Sequence, residues 1–159
     1  MKAIAVLFVA ATVLAQAPGG FEYWPAAKLK GYTTSLKAKE PTAQAKSNIK
    51  MMMATETFGD HGNYNFVMVR RDESGEPEVH ADWSDIFIAH EGEGSLTYGG
   101  KVEGGRTTGP GEIRGGKIVG GTTLKLGPGD MAVIPAGLPH LTTLEKGKHF
   151  VYMVIKVKK

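Results

Sequence analysis

Hydrophobic positions along the chain fall into three regimes. From Ala3 to Leu14 the residues are almost all apolar (AIAVLFVAATVL), with Met1-Lys2 before them and the turn-forming Pro18-Gly19-Gly20 soon after. Residues 33–48 (TTSLKAKEPTAQAKSN) are mostly polar and predict a short helix interrupted near Pro41, whose ring removes a helix donor. From Ile49 onward, short β-type runs alternate with turn residues. They are Met51–Phe58, the turn Gly59-Asp60-His61-Gly62-Asn63, Tyr64–Arg70, Asp85–Ala89, Ser95–Tyr98, Thr122–Leu126, Met131–Pro135 and His149–Val157. Many short strands at this spacing predict an all-β sandwich or barrel. The chain divides accordingly into residues 1–15, a linker and helical segment over 16–48, and one β domain over 49–159.

The first regime has the positive start and short apolar middle of a secretory signal peptide, and it is too short to span a bilayer comfortably. Small residues permit cleavage after Ala15 or Ala17; Pro18 is a poor residue after a cleavage point, which favours Gln16 as the mature N-terminus. The expected location is secreted or periplasmic, with no stable membrane anchoring once the signal is removed. There is no cysteine, hence no disulfide, thiolate nucleophile or zinc-thiolate site. The formal net charge of +3, or +2 without Lys2, is too small to argue for a nucleic-acid partner. A chain of 159 residues can bury a core unaided, so any metal is expected to be functional rather than a folding staple.

Between Gly92 and Gly129, both included, lie 14 of the 22 glycines, in a stretch that contains KVEGGRTTGPGEIRGGKIVGG. Such a run buries little apolar surface, so a loop or loosely paired excursion at one end of the sandwich is expected.

The segment Gly129-Asp-Met-Ala-Val-Ile-Pro135-Ala-Gly137-Leu-Pro-His140 reads as a glycine turn, a short apolar strand and a sharp bend that aims a histidine inward. It resembles the second motif of the cupins, G-x5-P-x-G-x2-H, at every fixed position. The first cupin motif, G-x5-H-x-H-x3,4-E-x6-G, is met in part by the residues from Glu78 to Gly92. With His80 as the second histidine and Asp85 as the acid the spacing holds, Glu78 stands where the first histidine belongs, and Asp72 replaces the leading glycine. A second register, with His80 first and Asp82 second, breaks the spacing before Asp85. The resemblance covers roughly residues 49–157 and implies a jelly-roll sandwich or short barrel, a homodimer and a mononuclear metal site on His80, Asp85 and His140, with Glu78 or Asp82 completing it.

The preferred register is also coherent as chemistry. Glu78 and His80 are two apart on a strand and so share a face, and a neighbouring strand can add Asp85. Two imidazoles with one or two carboxylates suit one divalent transition metal, whether Fe, Mn, Cu, Ni or Zn, and leave coordination positions open. Asp85 as a turn cap and His140 as a hydrogen-bonded interior histidine remain the alternatives. His90 falls on the opposite strand face, and His61 sits in an exposed turn. Arg106 and Arg114 can reach over a pocket mouth, and Trp83 and Phe87 are core or pocket lining. The expectation is a metal-dependent enzyme, of oxygenase or Lewis-acid type, acting on a small organic molecule or carbohydrate. The competing expectation is a non-catalytic ligand- or metal-binding protein on the same cavity.

Overall fold

The computed structural model describes residues 20–38 and 53–159. The leader expected over 1–15 and most of the 33–48 segment, Pro41 included, lie outside the described residues. The one helix described, α1, spans Ala26–Ala38 and so begins well before the segment the polar composition had suggested. Its cue is Pro25: the fixed φ of proline suits a helix start, and the Pro25 carbonyl accepts from the N–H groups of Lys28 at 2.8 Å and Leu29 at 3.2 Å. Hydroxyls of Thr33 and Thr34 donate back to the Lys30 carbonyl, and Ser35 to that of Tyr32, so the polar Thr-Thr-Ser run continues the helix instead of ending it. No helix among the described residues is long and apolar enough to cross a membrane.

The rest is strand. In chain order these are β1 (Met53–Asp60), β2 (Tyr64–Arg71), β3 (Glu78–His80), β4 (Trp83–Gly92), β5 (Gly94–Tyr98), β6 (Lys101–Glu103) and β7 (Arg106–Gly109). They continue as β8 (Glu112–Arg114), β9 (Lys117–Val119), β10 (Thr122–Leu126), β11 (Met131–Ile134), β12 (His140–Thr143) and β13 (Phe150–Lys158). A five-stranded sheet runs β1-β2-β13-β4-β11 and a six-stranded sheet runs β10-β5-β12-β3-β8-β7, both antiparallel, with β6 and β9 paired as a separate ribbon. The two large sheets face one another as a jelly-roll sandwich and, among the described residues, do not hydrogen-bond into a closed barrel.

The chain crosses between sheets from β4 to β5 at Gly92-Glu93-Gly94. Gly92 has φ +72°, and a Cβ there would stand 2.1 Å from the His149 carbonyl oxygen, so only glycine fits this corner.

Alternation along the strands sorts side chains into two clusters. Between the sheets lie Val69, Phe87, Ala89, Leu96, Leu126, Ile134, Phe150, Tyr152 and Val154. Phe150 stacks on Tyr152 with centroids 4.8 Å apart, and Phe87 lies 4.7 Å from the same ring. On the outer face of the five-stranded sheet, Ala54, Met68 and Val151 pack with Leu36 of α1, and Tyr32 stacks on Phe58 at 4.9 Å. The helix therefore covers the back of one sheet and leaves the cavity between the sheets to other residues.

Of the two forms expected for the glycine-rich stretch, a loop or a loosely paired excursion, the structure shows the paired one. It is largely strand: β7 and β8 form a hairpin whose second strand pairs with β3, extending the six-stranded sheet at its edge. Backbone hydrogen bonds and ion pairs hold it where apolar burial does not.

Candidate metal centre

Two elements bring the histidines together. His80 ends β3, and His140 opens β12, directly across from Glu78 of β3. The bend of the second motif is fixed by Gly137, whose φ of +82° is a left-handed conformation that other residues adopt at a cost. Its N–H donates to the His80 carbonyl at 2.7 Å, so the two histidine-bearing segments are tied through the backbone. On its other side β3 faces β8, which places Arg114 opposite Glu78 and Glu112 opposite His80. Asp85 comes from the facing sheet, where β4 pairs it with Lys156 of β13.

The functional atoms converge. His80 Nε2 lies 3.5 Å from Glu78 Oε2 and 3.5 Å from Asp85 Oδ2, and His140 Nε2 lies 3.8 Å from each of the same oxygens. Glu78, His80 and His140 form the tightest group, their ligand atoms all within 4.8 Å of one another. Asp85 faces both imidazoles through Oδ2, while its Oδ1 accepts from Lys156 at 2.5 Å.

Two further bonds set the imidazole tautomers. His80 Nδ1 is 2.7 Å from Glu112 Oε2 and His140 Nδ1 is 3.2 Å from the Leu138 carbonyl; both partners are acceptors, so each Nδ1 carries a proton. Both Nε2 atoms are then turned toward the cavity, buried and without a hydrogen-bond partner among the described residues. Buried nitrogens are seldom left unsatisfied. A metal ion bonded at about 2.1 Å in tetrahedral geometry needs ligand atoms about 3.4 Å apart, close to the spacing seen here. The donor set, with a carboxylate behind one imidazole and a carbonyl behind the other, fits a single metal ion.

The electrostatics are tightly matched. Burial works against ionisation of Glu78, but the nearby His80 imidazole, 3.5 Å away, and the charges of Arg114 and Arg71 outweigh it and hold the carboxyl well below the usual range. Burial likewise opposes charge on Asp85, and His80 and Lys156 overcome it. His80 is pushed up to about 9: burial lowers its pKa, and the Asp85 and Glu78 carboxylates more than reverse that. Burial holds His140 down and therefore neutral. Without metal, a proton on His80 occupies the place between the two carboxylates.

The centre opens into a cavity of about 190 Å³. Met53, Val67, Val69, Phe87 and Val154 give it an apolar wall, and Arg71, Arg114, Tyr152 and Lys156 supply polar groups. Of the residues singled out in the sequence, Glu78, His80, Asp85 and His140 meet at one point, and Phe87 and Arg114 line the cavity. Asp82 is exposed in the turn between β3 and β4, away from the ligand atoms, so it is Glu78 that joins the group. Arg106 does not reach the cavity: both of its terminal nitrogens bond the buried Glu76 at 3.1 Å. Trp83, at the start of β4, also stands outside the lining. His61 pairs with Glu22 at 2.9 Å, His149 with Glu91 at 3.2 Å, and His90 is exposed on the outer face. Glu112, Lys156 and Arg71 were missed by sequence reasoning; only strand register, which no local spacing reveals, places them here.

No protein-family model matches the chain, and no curated protein does. Among solved structures, the chain is similar to KdgF from a Halomonas species, with 16% identity over 67% of this chain and 81% of that one and a TM-score of 0.47. It is similar to a cupin superfamily protein from Desulfitobacterium hafniense, with 12% identity, 75% and 89% coverage and a TM-score of 0.47. A conserved protein with a double-stranded β-helix domain from Klebsiella pneumoniae gives 15% identity, 70% and 79% coverage and a TM-score of 0.49. At these values the likenesses carry no argument about activity. By its own strand order, the cavity between its two sheets and the inward-facing histidine of its Gly129–His140 motif, the chain has the jelly-roll fold of the cupins.

Proposed function

We propose that the chain is an exported cupin that holds one divalent transition-metal ion on Glu78, His80, His140 and Asp85 and acts as a metal-dependent enzyme on a small molecule bound in the adjoining cavity. The observation that carries this reading is the pair of buried Nε2 atoms, unpartnered among the described residues and facing the Glu78 and Asp85 carboxylates across 3.5–3.8 Å. Bound there, an ion of this class supplies Lewis-acid polarisation of an oxygen or, where redox-active, a position for dioxygen.

The chain's own residues prepare the site. Arg114 and Arg71 keep Glu78 ionised, Glu112 keeps the His80 proton on Nδ1, and Lys156 fixes the rotation of Asp85. Val67, Val69, Phe87 and Val154 exclude water from the wall that a bound molecule would touch. Export is supported by the apolar run Ala3–Leu14 and its small-residue cleavage points. A homodimer is supported by Met131 and Val133, 65% and 60% exposed on β11 at the edge of the five-stranded sheet.

Elemental analysis tests the reading on mature protein purified without chelators or an affinity histidine tag, beside a folded His80→Ala variant. The expected result is near-stoichiometric metal that the substitution abolishes. No metal, and no uptake when Fe, Mn, Ni, Cu or Zn is added, would overturn it.

A further inference from the structure

The charge around the cavity points to the class of molecule it takes. Three carboxylates, Glu78, Asp85 and Glu112, surround the two imidazoles, and each is paired with a cation. Glu78 lies 2.5 Å from Arg114 and 3.5 Å from Arg71, Asp85 lies 2.5 Å from Lys156, and Glu112 lies 3.4 Å from Arg114. Arg71, Arg114 and Lys156 therefore already balance the three carboxylates one for one. A divalent ion on neutral imidazoles adds two positive charges to a site whose ligands are 3–13% exposed. Uncompensated charge in such surroundings is costly, so the loaded site attracts an anion.

The cavity narrows the choice of anion. At about 190 Å³ it suits a small molecule. Met53, Val67, Val69, Phe87 and Val154 form one wall, against which the hydroxyls of a sugar would lose hydrogen bonds and a short alkyl chain would not. Cationic donors are at hand. Lysine has three N–H donors, and the Asp85 carboxylate takes one from Lys156. Arg71 lines the cavity at 5% exposure, its guanidinium held by the Tyr152 hydroxyl and Glu78, and adds a fixed positive charge to the cavity wall.

We infer that the cavity binds a short-chain organic carboxylate, its charge balancing the ion's and its alkyl chain lying against the Val67, Phe87 and Val154 wall. This rests on the metal reading above and selects the substrate class for that site.

The test compares butyrate with butyramide, a neutral molecule of the same shape, and with inorganic phosphate. Thermal unfolding midpoints are measured on zinc-loaded protein whose metal content is determined in the same sample, and on metal-free protein. Butyrate is expected to raise the midpoint of the loaded protein saturably, with an affinity about tenfold or more above that of butyramide, and to do much less without zinc. Phosphate is expected to stabilise less than butyrate because it has no alkyl chain. Loaded protein that responds equally to butyrate and butyramide, to neither, or more strongly to phosphate overturns this inference alone. A chain that takes up none of Fe, Mn, Ni, Cu or Zn overturns the metal reading and this inference with it, and one that takes another of these ions but not zinc is compared in the same way with that ion.

Discussion

The bend over residues 129–140 and the glycine-rich excursion over 99–121 serve the same centre in opposite ways. The bend delivers a candidate ligand directly: Pro135 and Gly137 turn the chain, and His140 enters the cavity. The excursion delivers no ligand, yet β8 brings Glu112 against His80 and Arg114 against Glu78. One region acts through a fixed local spacing and the other through cross-strand pairing with β3. A stretch with little apolar content can therefore be structured and functional when its partners are charges and backbone groups.

The sharpest contrast comes from removing one residue from each region. His140→Ala is expected to abolish stoichiometric metal uptake, measured by elemental analysis on folded protein. Glu112→Gln keeps a hydrogen-bonding side chain but loses the carboxylate behind His80; metal affinity is expected to fall about 10–100-fold in a competitive chelator titration, with the fold intact. Equal effects from the two substitutions would erase the distinction between ligand and support.

Acidity divides the two imidazoles next. His80 is raised to about 9, so in metal-free protein its contribution to stability is full below its unfolded value and is lost as pH rises through about 9. The metal-free unfolding midpoint is expected to be lower at pH 10 than at pH 6. Metal must displace the His80 proton, so apparent metal affinity is expected to rise over the same interval. A metal-free midpoint that climbs toward pH 10 would contradict the ion pairing of His80 with Glu78 and Asp85.

The smallest expected effect lies at Gly137. An alanine there meets nothing within 4 Å, so the cost is conformational, about 1–2 kcal/mol for the left-handed backbone. Chemical denaturation measures it, with metal stoichiometry expected to be unchanged.

These residues also show what the sequence could and could not reveal. His140 was legible because its bend is local, and Glu78 beside His80 because strand alternation is local. Asp85 followed from the spacing of the motif that residues 78–92 resemble. Glu112 is 32 residues from the histidine it supports and Lys156 is 71 from its aspartate, distances that only sheet register closes. The same limit explains why the glycine-rich stretch could be either a loop or a loosely paired excursion in the sequence: its strands are short, alternate poorly and are held by partners elsewhere. The strand runs from Met53 onward were legible because period-2 patterning reflects burial on one sheet face. The helix start at Ala26 was not legible because Pro25, its start signal, lies in a segment whose Gly/Pro content resembles a linker.

The bond from the Gly137 N–H to the His80 carbonyl has a consequence for how fast the centre responds to its surroundings. Since this contact and the β3–β12 pairing tie together the two segments that carry the imidazoles, the centre is expected to exchange metal as a single latch. Release would wait on a rare joint opening of β3 and the bend, so protein once loaded is expected to keep its ion through dilution and brief exposure to chelator, and the metal it carries would record the conditions in which it was filled.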